Sequence, residues 1–585
     1  MRNLLKDLYV MKGTLTLFFL IIAIIAANIT FAQNGHWQWA VTAGDGGVAQ
    51  AKETVIDNNG DIYAIGNFEG AIQFGSTTLA SKGKKDVWIA KYSNSGIPLW
   101  ATSIGSTLDD EGNGITTDQN GNIYITGTYK NTLFITSTDS LDYTYNPDNY
   151  PYEDAYLIKL DNRGGLEWEK QLGGIYEEHT GGVKTDNFGN VYVAGVFGAG
   201  SSADTVFAYF GNDTLKAYKG SNAYIAKYDT SGNIVWAKSI GEEGNDETIT
   251  SIDLDSVGNI YAAGSFEYVM YIDHLILYSE FVGDITGDLY IAKFDSAGTA
   301  KWATNISGQK TTPGMSPGTI WETNISVASD GSVAIAGYYE RCDIVFVENG
   351  TKLKEMGGKD VFMAKYYHNG KLLWANSIGY LLDEMAAAIT TDKDDNIYIA
   401  GTFYPSGHTI IAGDTLMSDK KGWDEDIYIA KYDKNGNGLW AATAGGYERD
   451  YPNCINTDKD GAVYVTGGIA STGAKFGNHS ISAGNSDNMF LAKYIGYPTS
   501  AKVIKDAGVN ISTYPNPFTD QLTISGISQG QHILITDMYG RAVYNKAANG
   551  NICTLQLGHI PPGVYHLSIT GNNGVQLLHK SINKL

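Results

Sequence analysis

A three-part motif recurs seven times along this chain, out of phase with the chain ends. The first part reads D-x-x-G-N-x-Y-x-x-G, as in DNNGDIYAIG from Asp57 to Gly66. Its other copies end at Gly127, Gly195, Gly264, Gly337, Gly401 and Gly467. The second is an I-A-K-Y-like segment with its lysine at Lys91, Lys159, Lys227, Lys293, Lys365, Lys431 and Lys493. The third, W-A-x-x-x-G-like, is marked by Trp39, Trp100, Trp168, Trp236, Trp302, Trp374 and Trp440. The chain opens on an orphan third part, WQWAVTAGDGG, and ends its repeats on an orphan second part, NMFLAKY from Asn488 to Tyr494. A linear stack has no use for that split. In a closed ring, the N-terminal strand completes the last repeat.

Successive tryptophans are 61, 68, 68, 66, 72 and 66 residues apart, a spacing that signals a repeat architecture. Within each period, apolar residues alternate with small or polar ones, as in D-I-Y-A-I-G, which is the two-residue period of strands. Several short strands per repeat, punctuated by Gly, Asn and Asp, predict an all-β fold. The expectation is a seven-bladed β-propeller closed by the N-terminal strand, followed by a small C-terminal β-sandwich. In each D-x-x-G-N step the aspartate bonds backbone N–H groups two residues on, and glycine supplies positive φ. The tryptophans are the expected glue between blades: one indole buries roughly 150–250 Å², about 4–6 kcal/mol gross at ~25 cal/mol per Å². Trp39 is expected to pack against the blade carrying Lys493.

The expected organisation is a signal peptide over 1–32, the propeller over 33–494, a linker over 495–509 and the sandwich over 510–585. Arg2, Lys6 and Lys12 precede an uncharged stretch from Gly13 to Ala32, and small residues at Thr30 and Ala32 favour cleavage before Gln33. No transmembrane span is expected after cleavage. The net charge of -22 argues against nucleic acid and anionic membranes as partners. Three scattered cysteines, Cys342, Cys454 and Cys553, form neither a disulfide framework nor a metal-site spacing, so packing must hold the fold.

The last stretch contains Tyr514-Pro515-Asn516-Pro517, then Asp537-Met538-Tyr539-Gly540-Arg541, then Pro562-Gly563-Val564-Tyr565, and a lysine-bearing final strand. In this order it resembles the C-terminal sorting domain of type IX secretion system cargo, known from Bacteroidetes. The resemblance implies export across both membranes, contact with the type IX secretion machinery, and release or attachment at the outer cell surface. Tyr514, Pro515, Asn516, Pro517, Gly540, Arg541, Gly563 and Tyr565 carry the motif. Farther upstream, GNVYVAG (Gly189 to Gly195) with NAYIAKYDTSG (Asn222 to Gly232) resembles a bacterial β-propeller repeat family with the core G-N-x-Y-V-x-G followed by D-x-F-V-A-K. That likeness covers about residues 36–494 and implies a fold but no agreed activity.

No catalytic residue and no metal site is assigned. The seven lysines, tryptophans and turn aspartates repeat, and a residue used identically in each blade is structural. Asp433 to Gly438 fits the opening of a calcium loop, but its twelfth position falls on Ala444; a β-turn is the simpler reading, with calcium an open option and no other cofactor expected. The acids after each tryptophan strand (Asp109-Asp110-Glu111, Glu177-Glu178, Glu242-Glu243, Asp383-Glu384, Glu448 with Asp450) read as solvated turns or weak calcium ligands. Function is sought where the repeats differ, in Asp139–Asp154, Phe266–Asp284 and Tyr404–Asp426, for which the plainer alternative is an extra outer strand or a packed loop. Within the first of these, Tyr143, Tyr145, Tyr150 and Tyr152 are the candidate binding residues, because rings on a rigid frame add contact area at little entropic cost. The expected role is a secreted or surface scaffold that binds a protein or glycan. The alternative is an extracellular polysaccharide hydrolase or lyase, which would need positioned carboxylates that are not repeated in every blade.

Overall fold

A computed structural model describes residues 35–43, 47–144, 152–199, 205–218, 220–241, 246–279, 287–310, 318–379, 382–404, 409–412, 414–416, 424–484, 487–496, 511–514, 518–537, 542–570 and 576–584. Its contacts divide the chain into Trp37–Ile495 and a second unit comprising Met1–His36 and Gly496–Leu585. The described secondary structure is entirely β, and no described helix is long and apolar enough to cross a membrane.

Within Trp37–Ile495, seven antiparallel sheets among the described residues share one four-strand plan. The second sheet shows it: the inner strand Asp110–Thr117 pairs with Ile123–Tyr129, then Asp154–Leu160, then Leu166–Gly174. The turn chemistry explains the order. Asp118 Oδ1 accepts the N–H groups of Asn120 (2.9 Å) and Asn122 (3.0 Å), with Gly121 at φ 79°. The same turn joins the third and fourth strands, where Asp161 Oδ1 accepts from Arg163 and Gly165, both at 2.8 Å. The last sheet lacks a fourth strand of its own and takes His36–Thr42 beside Asn488–Ile495. Thr42 Oγ1 donates to Met489 O (2.7 Å), Asn488 Nδ2 to Ala43 O (2.9 Å), and Trp37 Nε1 to Thr443 O (3.0 Å).

Successive inner strands touch one another, from Gly47–Ile56 to Asp450–Thr457, and the last also touches the first. Across that final contact, Asn456 Nδ2 donates to Thr54 O at 2.6 Å and Asn453 Nδ2 to Ala51 O at 2.7 Å. The core lies between sheets: Tyr63, Ile65, Val87 and Ile89 of the first sheet share one cluster with Ile115, Ile123, Tyr129 and Tyr156 of the second. Because both faces of the middle strands meet a neighbour, Ile123–Tyr129 and Asp154–Leu160 are buried at every position.

The tryptophans join neighbouring sheets. Trp168, Trp236, Trp302 and Trp374 each donate Nε1–H to a carbonyl in the next sheet's glycine turn, at 3.2, 3.3, 2.9 and 3.1 Å. Each indole lies over that turn's glycine; a Cβ on Gly370 would come 2.8 Å from Trp302 Cδ2. Trp39 lies 6.2 Å from Tyr464, in the sheet carrying Lys493, and bonds Asn94 O of the first sheet at 3.2 Å.

The divergent stretches hold outer strands: the described residues of Phe266–Asp284 and Tyr404–Asp426 form the hairpins Val269–Ile272/Leu275–Tyr278 and Thr409–Ile411/Asp414–Leu416. Equivalent outer hairpins, such as Val206–Phe210/Asp213–Ala217 and Cys342–Phe346/Thr351–Leu353, occur in other repeats. They pair onto the preceding sheet's tryptophan strand, as in Gly173↔Tyr209 and Ile306↔Phe346, and so cover an edge that would otherwise stand open.

The second unit holds Ser512–Tyr514, Gln521–Ser525 and Ile552–Gln556 in one sheet. The other sheet orders Ala542–Ala547, His532–Asp537, Gly563–Thr570 and Gln576–Lys584. Phe518, Leu522, Ile535, Leu555, Leu567 and Ile582 share its core.

Candidate functional site

The repeated polar residues are occupied in structural bonds. Lys293 Nζ lies 3.4 Å from Asp255 Oδ2, Lys431 Nζ 3.2 Å from Asp392 Oδ2, and Lys91 Nζ 2.9 Å from Asp61 Oδ2. The first two also sit over the motif tyrosines, 4.6 Å from the Tyr261 ring and 4.7 Å from the Tyr398 ring. In the calcium-like loop, Asp433 Oδ1 accepts the N–H groups of Asn435 and Asn437, both at 2.9 Å, so its carboxylate serves the turn.

Four of the acids after the tryptophan strands are not solvated, while Glu448 is exposed and Glu242 and Glu243 lie outside the described residues. Asp110, Glu178, Glu384 and Asp450 are fully buried, and so are Asp86 and Asp360 on neighbouring third strands. Strand alternation turns every second residue inward, which places one acid of each pair in the core. They account for the glycine that ends W-A-x-x-x-G: a Cβ on Gly105 would come 2.2 Å from Asp86 Cγ, and one on Gly379 would come 2.1 Å from Asp360 Oδ1. Burial pushes the carboxyls of Asp110 and Asp154 up to about 7 and that of Asp360 to about 6. Hydrogen bonds from Ser106 oppose the shift at Asp110, and those from Thr144 and Gln171 oppose it at Asp154.

What is not repeated lies on the inner strands. Four residues before each turn aspartate, or Ala328 in its place in the fifth repeat, stand Glu53, Gly114, Gly182, Ser251, Asn324, Ala388 and Cys454; two before stand Val55, Thr116, Lys184, Asp253, Ser326, Thr390 and Asn456. The charged members converge although they come from the first, third and fourth sheets. Lys184 Nζ lies 3.7 Å from Glu53 Oε1, and the amine also feels the charge of Asp253. The missing side chain of Gly114 leaves the space between: a Cβ there would lie 3.4 Å from Glu53 Oε2. Glu53 Oε2 accepts Ile115 N–H (2.9 Å), and Asp253 Oδ2 accepts Val327 N–H (2.7 Å). Burial raises both carboxyls against the pull of Lys184. Burial lowers Lys184, but the two carboxylates outweigh it and hold the amine above its ordinary range. Beside them, burial pushes the Cys454 thiol up to about 11. The cluster is a pre-organised, partly exposed set of two acids and one base, able to hydrogen-bond a polar group. Two variable columns at fixed offsets from the turn aspartate were its signal in the sequence.

Of the four candidate tyrosines, Tyr145 and Tyr150 lie outside the described residues. Tyr143 is half-buried against the core between the first two sheets and donates its hydroxyl to Tyr152 O at 3.0 Å. The Tyr152 ring lies 5.8 Å from that of Tyr176. Nearby, Glu153, Glu177 and His179 bring ligand atoms within 4.8 Å of one another, with Lys130 Nζ at 2.9 Å from Glu153 Oε1. In the second unit, Tyr514 is exposed, Gly563 opens a strand, and Tyr565 is buried with its hydroxyl bonding Pro561 O at 2.6 Å. Pro515, Asn516, Pro517, Gly540 and Arg541 lie outside the described residues, as does the whole of 1–32.

Residues 512–584 match the model of the secretion system C-terminal sorting domain, and residues 99–131 that of the β-propeller repeat. The chain is 22% identical over 558 residues to an uncharacterised WD repeat-containing protein of Acanthamoeba polyphaga mimivirus, covering 81% of this chain and 40% of that protein. It is 23% identical over 191 residues to the regulatory protein FlaEY of Caulobacter vibrioides, covering 32% of this chain and 19% of that protein. The chain thus spans less than half the length of these curated relatives. Among solved structures it is similar to PorZ, a surface component of the type-IX secretion system of Porphyromonas gingivalis, at 10% identity. That match covers 93% of this chain and 100% of that one, with a TM-score of 0.15. It is also similar to puromycin hydrolase at 8% identity, covering 72% and 58%, with a TM-score of 0.32. Scores this low carry no argument about the chain. The tail does: this is a β-repeat protein with a type IX sorting domain, secreted or attached to the outer cell surface.

Proposed function

We propose that residues 33–494 form a seven-bladed β-propeller, closed by the strand His36–Thr42, that serves as a secreted or surface-displayed scaffold binding a protein or glycan. In this reading 1–32 is a signal peptide removed before Gln33, 495–509 is a linker, and 510–585 engages the type IX secretion machinery. One observation carries it: nearly every polar residue of the repeat is spent on structure, while Glu53, Lys184 and Asp253 vary between repeats and still converge. Side chains from the first, third and fourth sheets meet most simply around a common axis, which supports closure. Variable groups on a rigid repeated frame suit recognition.

The test is a glycan-array and cell-surface pull-down screen with the chain from Gln33, run with calcium and with chelator. A saturable partner with no product supports the scaffold. Shortened glycans would instead favour a hydrolase or lyase, which draws support from Glu53 and Asp253 being carboxylates that are not repeated in every sheet. Binding lost with chelator would assign calcium a role.

A further inference from the structure

A groove of about 440 Å³ lies at the seam between the fourth and fifth sheets, a size that suits a small ligand. Its walls are the tryptophan strand at Trp302–Asn305, the outer-hairpin residues Ile276–Tyr278 and Val347–Glu348, and the turn Asn369–Lys371. We infer that this groove is a subsite for a neutral oligosaccharide; the inference rests on the binding reading above and gives it a place.

The chemistry of a sugar is two-sided: a ring face of C–H groups and a rim of hydroxyls. The groove offers both. Tyr278 is 64% exposed at its edge. Trp302 presents indole surface only, because its N–H is spent on His368 O at 2.9 Å and the other side is covered by Gly370. Around these rings stand a carboxylate, an amide and an ammonium. Glu348 Oε2 accepts Leu372 N–H at 3.3 Å, which fixes the carboxylate in place. Asn369 Oδ1 likewise accepts Lys371 N–H at 3.3 Å, so the amide's NH₂ is the group turned to a ligand. Rigid aromatic surface with a few fixed polar groups is the composition of a ligand pocket. Glu348 and Lys371 balance each other, and the chain's net charge of -22 disfavours uronate or sulfated polymers.

The preceding seam carries different chemistry. A groove of about 480 Å³ lies there beside Trp236 and Gly298, but Lys238 crosses it, bonding Asp273 Oδ1 and, at 2.7 Å, Gly298 O. The residue two after the tryptophan is Val41, Thr102, Lys170, Lys238, Asn376 and Ala442 in the other repeats, and Thr304 here. At this seam no lysine bridges from that position, whereas at the preceding one Lys238 does.

The experiment is an array of neutral, N-acetylated and uronate oligosaccharides of two to six sugars. It uses the full mature chain, Tyr278→Ala and Thr304→Lys, with circular dichroism as a folding control. Tyr278 is exposed, so its alanine variant should fold; if Thr304→Lys does not, Tyr278→Ala decides alone. Binding to neutral sugars, weakened about tenfold or more by each folded variant, supports the groove. Equal binding by wild type and variants overturns the groove and leaves the scaffold reading intact. Wild type binding no sugar also overturns it, and the cell-surface pull-down then decides the scaffold reading separately. Preference for uronates overturns the assignment to neutral sugars.

Discussion

Asp110→Asn should convert a pH-sensitive element of the fold into an insensitive one. Asp110 is fully buried; Oδ2 accepts Ser106 N–H and Oδ1 accepts the Ser106 hydroxyl at 2.9 Å. Asparagine can keep both contacts, its carbonyl accepting the N–H and its amide donating to the hydroxyl. Burial raises the carboxyl from 3.8 to about 7. The native state therefore holds a proton that the unfolded chain has released between those values. Stability from this group is fully present below about pH 4 and is lost as pH rises to about 7. About three units at 1.36 kcal/mol each gives ~4 kcal/mol. Urea unfolding at pH 4, 6 and 8 should show wild type losing about 4 kcal/mol more than the variant across that range. At pH 8 the variant should be the more stable protein. Parallel curves for the two would refute the reasoning, since Asp110 would then be charged in the native state at no cost.

Gly105→Ala should destabilise by ~2–4 kcal/mol in the same assay, because its Cβ would meet Asp86 Cγ at 2.2 Å; wild-type stability would mean the acid can move aside. Trp37→Ala should cost ~3–5 kcal/mol, since this buried ring packs 5.0 Å from Phe476 and closes the last sheet; an unchanged urea midpoint would sink closure. Lys184→Met should cost ~1–3 kcal/mol at pH 8 and less at pH 4, where Glu53 and Asp253 take up protons; a cost independent of pH would show that the three groups do not interact. Removing 510–585 should leave the chain inside the outer membrane, read by loss of protease cleavage on intact cells; continued surface display would separate the tail from export.

Much of the fold was legible because its parts are local. The turn aspartates, the positive-φ glycines and the two-residue period are set by neighbours in sequence, and the phase of the motif indicated that His36–Thr42 would join Asn488–Ile495. The paired lysines and the tryptophan seams were readable for the same reason: what repeats in sequence repeats in contact. The buried acids were not, because exposure at Asp110 or Glu178 depends on the next sheet lying over it. The outer hairpins were legible only as an alternative, an extra outer strand, because their sequence drifts from repeat to repeat. Glu53, Lys184 and Asp253 stand up to 200 residues apart in the chain, and their meeting depends on how the first, third and fourth sheets pack together. Sequence by itself determined the strands, the turns and the export tail, since those depend on residues a few positions apart. Only the tertiary structure decided which carboxylates lose their water and which charges meet, since both depend on surfaces brought together from distant repeats.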